Sequence, residues 1–284
     1  MTILVTAASG HLGRLVLDAL LERGVAPADL RAGVRRPESL ADHAERGVDV
    51  VHLDYSDPTT AKAATQGVDR VLLISGSEVG QRVAQHTAVV EAAAANGVGH
   101  LVYTSAPKAT TADFVLAPEH KATEEVIAAS GIPATILRNG WYHENYAQDL
   151  ATARDTGVLT SSAGDGRVAS AARADYAAAA AAVLTTDGHA GQVYELAGDE
   201  AWDFETLAAT FAEVLGRDVS LQRVTTDEHV ALLESFGLDA DTAGFVAGID
   251  TGIRDGVVGD TDGTLSRLIG RPTTPLVDGL RPLV

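Results

Sequence analysis

The chain has 284 residues, a formal net charge of −18 and no cysteine, with 46% hydrophobic and 21% charged residues. This is the composition of an ordinary globular protein, large enough for one α/β domain with an additional lobe. The negative charge argues against nucleic acid and anionic membranes as partners, and the lack of cysteine excludes disulfides, thiolate catalysis and cysteine-ligated metals. The longest apolar run, Tyr176–Leu184, is too short to span a bilayer, so we expect no membrane insertion and a cytoplasmic location.

The first stretch, TILVTAASGHLGR, predicts a buried strand, a turn of small residues and an amphipathic helix. The spacing of Ala7, Gly10 and Gly13 is typical of turns that direct free backbone N–H groups at a phosphate. The same spacing also fits any strand-to-helix turn of an α/β protein. Its place on the first strand favours a cofactor-binding turn, for which the candidate residues are Ala7, Ser9, Gly10, His11 and Leu12.

Strands and helices then alternate, and the strands are hydrophobic on both faces. This pattern predicts a parallel, doubly wound sheet. We expect further strands at Leu30–Val34, Val48–Leu53, Val68–Ser75, Gly99–Ser105 and Pro133–Arg138. The helices between them are predicted at Glu38–Arg46, Pro58–Gln66, Val79–Asn96 and Pro118–Ser130.

The regular alternation stops after Asn139, which predicts an N-terminal domain over residues 1–139 and a smaller lobe over most of 140–284. The strand expected at Gln192–Gly198 returns to the first domain. In the lobe we expect a helix from WYHENYAQDLATA, a loop or short hairpin at Thr156–Arg167 and a mobile loop at Gly248–Gly263. The other predicted elements of this half are helices at Arg173–Thr185 and Phe204–Leu215 and a strand at Val219–Val224.

The second strand ends in Val34, Arg35 and Arg36, without the acidic residue that usually holds the ribose 2′-hydroxyl of NAD. A guanidinium at this point suits the 2′-phosphate of NADP(H), although two solvated surface arginines give the same pattern. Asp54 follows the third strand. It is placed equally well to accept from the adenine amine or to cap the next helix.

Several catalytic patterns are missing from the chain. There is no HExxH zinc motif, no GxxxxGK[ST] loop and no G-x-S-x-G nucleophile elbow, and we expect no bound metal. The lysines, Lys62, Lys108 and Lys121, do not follow a tyrosine by four residues. Reduction of a carbonyl by a Tyr-x-x-x-Lys pair is therefore not expected.

Long segments of the chain resemble the NmrA-like branch of the atypical short-chain dehydrogenases. Within that branch they are similar to flavin-independent bacterial NAD(P)H:quinone oxidoreductases. The matching segments include LLISGSEVGQRVAQH (72–86), RNGWYHENY (138–146) and AGDGRVASAARADYAAAAA (163–181). The resemblance implies a Rossmann-type domain with a small C-terminal lobe, NADP(H) as cofactor and two-electron hydride transfer to a small-molecule quinone.

The resemblance also implies site residues. Asn139 would face the nicotinamide through its amide, and Trp141 and Tyr142 would form aromatic walls for the substrate, with Arg173 as a further substrate contact. The cofactor would be lined by Ser75, Gly76, Ser77, Thr104, Ser105, Asn139, Gly140, Trp141, Tyr142 and His143. His120, Asn139 and Tyr142 are the catalytic candidates. An ion pair of Arg173 with Asp175, a packing role for the aromatic run and a partly exposed, non-catalytic His120 remain open alternatives.

Two positions depart from the family pattern. The first position of the turn is usually glycine, and here Ala7 is expected to be tolerated if its φ is negative. In the K-x-x-x-E element that many relatives carry, His120 takes the place of the lysine and Glu124 that of the glutamate.

Three functions follow from these observations. The first is an NADPH-dependent quinone reductase, and the second is a reductase of another conjugated electrophile such as a dye. The third is a non-catalytic redox sensor that binds NADP(H). A homo-oligomer is compatible with each.

Overall fold

The apolar strands of the first half pair side by side in the computed structural model, which describes all residues from Met1 to Val284. One seven-stranded sheet has the order β3-β2-β1-β4-β5-β6-β8. Its strands are β1 (Ile3–Val5), β2 (Leu30–Val34), β3 (Asp49–His52), β4 (Arg70–Leu73), β5 (His100–Ser105), β6 (Ala134–Asn139) and β8 (Val193–Leu196). The pairs from β3 through β6 are all parallel, which confirms the predicted doubly wound sheet.

The last strand continues this pattern. Ile136 N donates to Gln192 O at 3.0 Å, and Gly140 N donates to Leu196 O at 2.8 Å. Because the two bonds advance together along both segments, β8 runs in the same direction as β6.

The helices up to β6 follow the predicted alternation with the strands, and further helices lie beyond it. They are α1 (His11–Glu22), α2 (Ala41–Glu45), α3 (Pro58–Ala64), α4 (Arg82–Ala95), α5 (Ala117–Ser130), α6 (Ala147–Thr156), α7 (Arg173–Thr185), α8 (Phe204–Leu215), α9 (Thr226–Ser235), α10 (Ala240–Arg254), α11 (Thr264–Ile269) and α12 (Leu276–Leu280). A separate two-stranded sheet joins β7 (Val158–Ser161) to β9 (Ser220–Arg223). None of the helices has both the length and the apolar character needed to cross a membrane.

Some element boundaries coincide with the sequence prediction because local signals define them. Helix α8 begins after Asp203, whose carboxylate accepts from Thr206 N at 2.9 Å, and ends at Gly216 in the left-handed region. The WYHENY segment differs from its prediction. It begins outside any helix and turns into a 3-10 helix only at His143–Tyr146, before α6.

Two predictions for the second half are wrong. Thr156–Arg167 does not form a hairpin, because β7 pairs in parallel with β9, about 60 residues later. Gly248–Gly263 is not one loop, since helix α10 extends to Arg254. A Cβ on Gly252 would stand 2.4 Å from the Phe114 ring, and one on Gly248 would stand 2.7 Å from Val115. These two glycines allow close packing against α10.

The chain divides into two compact units. The first comprises residues 1–109, 118–139 and 173–195, and the second comprises residues 110–117, 140–172 and 196–284. In the first unit one core cluster lies between the sheet and helices α3, α4 and α5, with Leu4, Leu73 and Tyr103 fully buried. In the second unit the core is built around Tyr146, Trp202, Phe204 and Phe211.

Candidate active site

The turn after β1 has an unusual backbone. Ala7 has a φ of +46°, in the left-handed region that favours glycine, so the condition under which alanine is tolerated at little cost, a negative φ, is not met. The turn is nevertheless closed by two bonds, from Gly10 N to Ala7 O at 3.0 Å and from Ala8 N to Gly33 O at 3.1 Å. A non-glycine residue in this conformation costs about 1–2 kcal/mol. The surrounding bonds hold Ala7 there.

Gly13 allows helix α1 to start directly against this turn. A Cβ at residue 13 would stand 2.6 Å from both Ala7 O and Ala8 Cα. No side chain caps the helix, its first turn holds no acidic residue, and Ser9, Gly10 and His11 are exposed. A helix N-terminus of this kind presents N–H groups and the positive end of the helix dipole to an anion.

The exposed end of β2 carries a positive charge. The Arg35 side chain is 71% exposed, and its Nη1 lies 3.4 Å from Oε1 of Glu78, in the loop after β4. The Arg35 carbonyl is bonded to His52 Nδ1 at 3.0 Å. Sequence reasoning identified Arg35 but missed Glu78, although Glu78 lies within a family-like segment.

Hydroxyl groups tie the ends of neighbouring strands together. Thr6 Oγ1, just after β1, is bonded to Tyr55 OH, and Tyr55 OH donates to Ile74 O at 2.7 Å. Ser75 N donates to Thr104 Oγ1 at 2.9 Å, which links the ends of β4 and β5. The carboxyl ends of β1, β4 and β5 and the loop after β3 therefore meet at one edge of the sheet, where ligands of such folds bind.

The hydroxyl of the next candidate residue, Ser105, is bonded within the protein. Its Oγ donates to Glu124 Oε1 at 2.6 Å, and Arg138 binds the same carboxylate through both Nε and Nη2, at 3.0 and 2.7 Å. Arg138 also bonds Glu195 at 2.9 Å, and these carboxylates raise the pKa of its guanidinium. The glutamate of the family element thus takes part in an ion-pair network.

The loop after β4 is fixed by buried polar side chains. Gly76 N donates to His86 Nε2 at 3.0 Å, and Arg82 Nε donates to Gly76 O at 2.7 Å. At the other end of the loop Gly80 N donates to Glu119 Oε1 at 3.0 Å, and Glu119 also pairs with Arg82. No local sequence pattern indicates these contacts, because their partners lie on different helices.

Two buried histidines beneath this loop are neutral. Burial, with a smaller effect of Arg82, lowers the pKa of both His86 and His120 to about 3. His86 Nδ1 is bonded to Thr123 Oγ1 at 3.0 Å, and His120 Nδ1 to Tyr103 OH at 2.8 Å. His120 is buried, so its interpretation as a partly exposed helix residue is wrong.

The other first-unit candidates lie at element ends. Asn139 is the buried last residue of β6, and Arg173 is the partly exposed first residue of α7. Asp54 accepts from Ser56 N at 2.9 Å, whereas the cap of α3 is Asp57, which accepts from Thr59 N at 2.9 Å. The capping alternative for Asp54 is therefore wrong.

In the second unit the run Gly140–His143 is held against residues 168–172. Tyr142 forms a parallel bridge with Ala171, and Trp141 and Tyr142 are both half-buried. His143 is buried, with Nε2 bonded to Thr274 O at 2.9 Å and Nδ1 to Ser170 Oγ at 2.8 Å. Since a carbonyl only accepts, Nε2 carries a proton and donates to Thr274 O. The imidazole of His143 thus joins parts of this unit.

The second unit also holds two half-buried aspartates that interact electrostatically, Asp149 and Asp250. Asp250 accepts from Ser162 N at 2.7 Å and from Ser161 Oγ at 3.0 Å, and it faces His229 Nδ1 at 3.4 Å. Burial and the neighbouring Asp250 charge raise the pKa of Asp149 to about 7. Sequence reasoning identified neither residue.

The residues at the sheet edge fit NADP(H). The close packing at Gly13 holds the uncapped start of α1 against the turn, and its N–H groups suit a pyrophosphate. Arg35 supplies an exposed guanidinium at the end of β2, where the 2′-phosphate is held in such folds. No group of three or more His, Asp or Glu side chains is arranged to hold a metal ion.

Comparison with known proteins gives a consistent result. Residues 1–242 match the NmrA-like family. Quinone oxidoreductase 2 of Escherichia coli is 45% identical over 281 residues, which cover 99% of this chain and 98% of that protein.

Solved structures agree with these matches. The crystal structure of an NADPH-dependent quinone oxidoreductase from Escherichia coli, complexed with NADPH, matches with a TM-score of 0.95 over 99% of both chains. Triphenylmethane reductase of Citrobacter sp., complexed with NADP(H), is 36% identical and matches with a TM-score of 0.93 over 100% of both chains. The resemblance stated from the sequence is confirmed, and the chain belongs to the NmrA-like family.

Proposed function

We propose that this protein catalyses the NADPH-dependent two-electron reduction of quinones by direct hydride transfer, without a flavin. The observation that carries the proposal is the exposed Arg35 at the end of β2, together with the uncapped start of α1. The 45% identity to quinone oxidoreductase 2 of Escherichia coli, over nearly the whole chain, supports it.

Binding is assigned to residues of the first unit. Ser9, Gly10, His11 and Leu12 would hold the pyrophosphate through backbone N–H groups at the start of α1. Arg35 would hold the 2′-phosphate through charge-assisted hydrogen bonds, and Asp54 would accept from the adenine amine. The polar ends of β4 and β5, Ser75, Gly76, Ser77 and Thr104, would line the rest of the cofactor. When bound, the cofactor supplies the hydride.

In the first unit, Asn139 and Arg173 are the proposed contacts at the reacting end of the cofactor. In the second unit, Trp141 and Tyr142 are proposed aromatic contacts of a quinone. Aromatic side chains would stack on the quinone ring, and the amide of Asn139 would fix the nicotinamide. A neutral His120 whose Nδ1 accepts from Tyr103 OH would carry its proton on Nε2 and could donate it to a quinone oxygen. Because positioning supplies most of the rate in this scheme, a Tyr-x-x-x-Lys pair is not needed.

A second candidate substrate is a cationic triphenylmethane dye. The 36% identity and TM-score of 0.93 to triphenylmethane reductase favour it. The same binding scheme would serve, and the net charge of −18 would attract such a cation. We place either reaction in the cytoplasm, where NADPH is maintained as a reductant.

The test is a steady-state assay of NADPH oxidation by the purified protein, without added flavin. One arm contains 1,4-benzoquinone, a second contains a naphthoquinone, and a third contains crystal violet. Faster oxidation with the quinones than without them supports the proposal, and a response to the dye alone supports the second candidate. Tight NADP(H) binding with no turnover in any arm would overturn both and favour a non-catalytic regulator.

A further inference from the structure

We propose that Glu78 is a specificity-determining residue of the cofactor site: its carboxylate shares the Arg35 guanidinium with the cofactor 2′-phosphate and weakens the preference for NADPH over NADH. The inference rests on the proposed use of NADPH. The new element is the negative charge of Glu78, which opposes the positive charge of Arg35 from a different loop.

The two charged groups face each other across neighbouring loops. Arg35 follows β2, Glu78 follows β4, and their nearest atoms, Nη1 and Oε1, are 3.4 Å apart. Both side chains are accessible to a ligand, at 71% and 51% exposed. A 2′-phosphate that binds Arg35 must therefore compete with the Glu78 carboxylate for the same donors.

The position of Glu78 is determined by buried groups. Its second oxygen, Oε2, accepts from Gln85 Nε2 at 2.7 Å, and Gln85 is buried on α4. The backbone of its loop is held at Gly76 by His86 and Arg82 and at Gly80 by Glu119. Because side chain and backbone are both anchored, Glu78 stays near Arg35 when a ligand arrives.

The chemistry of the two cofactors differs only at this point. A 2′-phosphate carries up to two negative charges, which the Glu78 carboxylate repels, whereas a ribose 2′-hydroxyl can donate a hydrogen bond to a carboxylate. Glu78 therefore weakens NADPH binding and does not weaken NADH binding. The preference set by Arg35 alone would be stronger.

The experiment measures binding and needs no quinone. Isothermal titration compares adenosine 2′,5′-bisphosphate with adenosine 5′-monophosphate, two probes that differ by the 2′-phosphate alone. The proteins are the wild type, Glu78→Gln and Glu91→Gln. Glu91 is an exposed residue of α4, so its variant removes the same charge away from Arg35.

We expect Glu78→Gln to increase the preference for the bisphosphate, measured as the Kd of the monophosphate divided by that of the bisphosphate, by about 3- to 5-fold. This is the size of one exposed ion pair. The gain should shrink as salt is added, because both partners are exposed. Glu91→Gln should leave the ratio within about 1.5-fold of the wild type.

The outcomes separate this inference from the proposed function. If the wild type binds the bisphosphate more tightly than the monophosphate and Glu78→Gln does not change that ratio, the role of Glu78 is overturned. The NADPH preference then stands. If neither the wild type nor Glu78→Gln binds one probe more tightly than the other, both the role of Glu78 and the NADPH preference are overturned. Discrimination that first emerges in Glu78→Gln would support the inference, since Glu78 would then cancel the effect of Arg35.

Discussion

The carbonyl oxygen of Ala7 stands 2.6 Å from the point that a Cβ on Gly13 would occupy. Helix α1 can begin this close to β1 only because residue 13 has no side chain. The contact is with backbone atoms, which cannot turn away as a side chain could. The N–H groups at the start of α1 are thereby held beside the turn that is proposed to bind the pyrophosphate.

Gly13→Ala should therefore lower stability and weaken NADPH binding together. Forcing a methyl group into a packed site costs about 1–3 kcal/mol. The clash with the backbone of the turn can be removed only if α1 moves away from it. The measurements are urea unfolding and NADPH titration. Gly99→Ala is the matched control, because its Cβ would meet its nearest neighbour at an ordinary 3.5 Å. Equal effects of the two substitutions would contradict this account.

Ala7→Gly should stabilise the protein. Glycine adopts the φ of +46° without the penalty of a Cβ, and this gain exceeds the extra entropy of glycine in the unfolded chain. We expect a rise in the unfolding free energy of about 0.5–1 kcal/mol. Ala26→Gly, at an ordinary φ of −64°, should instead lower it. A loss of stability in Ala7→Gly would show that the strain is absent.

Arg35→Gln should raise the apparent KM for NADPH by about 10- to 100-fold, because charge-assisted hydrogen bonds to the 2′-phosphate are lost. The KM for NADH should change little. Both are measured in steady state with a quinone that the wild type reduces. Arg36→Gln removes the neighbouring exposed arginine and serves as the control. A similar rise for both cofactors would mean that the 2′-phosphate is held elsewhere.

Acid should destabilise the protein through its neutral buried histidines. The pKa of His86 is about 3 in the folded state, below the ordinary value of 6.5, because burial disfavours its charged form. Its stabilising effect is complete above pH 6.5 and is lost as the pH falls from there towards 3.

Between about pH 7 and about pH 5, the free energy of unfolding should fall by about 2 kcal/mol less in His86→Gln than in the wild type. It is measured by urea unfolding at both pH values, with the exposed His11→Gln as control. The same pH dependence in all three proteins would contradict a neutral His86.

Asp149 should act in the opposite direction. Burial and the charge of Asp250 raise its pKa from 3.8 to about 7, so the folded state holds a proton that the unfolded state releases. Stability from this group falls as the pH rises through that interval. Asp149→Asn should therefore gain stability over the wild type at about pH 8, on the order of 2 kcal/mol. Asp155→Asn, an exposed residue of the same helix, should not.

Much of the fold was predictable because its signals are local. Strand β2 and helices α7 and α8 begin and end at the predicted residues, Leu30–Val34, Arg173–Thr185 and Phe204–Leu215. Apolar runs and the cap at Asp203 define them without reference to distant parts of the chain. The parallel sheet follows from the repeated alternation of strand and helix.

The errors concern distant partners. No local pattern announces that β7 pairs with β9, and Gly248 and Gly252 resemble loop glycines until Phe114 and Val115 pack against them. The site shows the same limit. Arg35 was predicted from its place after a strand, whereas Glu78, Gln85 and His86 acquire their roles only through contacts between elements.

Helix α7 has a consequence for the order in which the newly made chain can fold. It packs against α1, and Arg23 Nε, just after α1, donates to Thr185 Oγ1 at 2.8 Å. About 160 residues separate these partners, so α1 leaves the ribosome long before α7 has been synthesised. During that interval α1 lacks the helix it packs against, and nascent chains with uncovered apolar surfaces are prone to aggregation. A chain that stalls before residue 173 is therefore expected to require a chaperone.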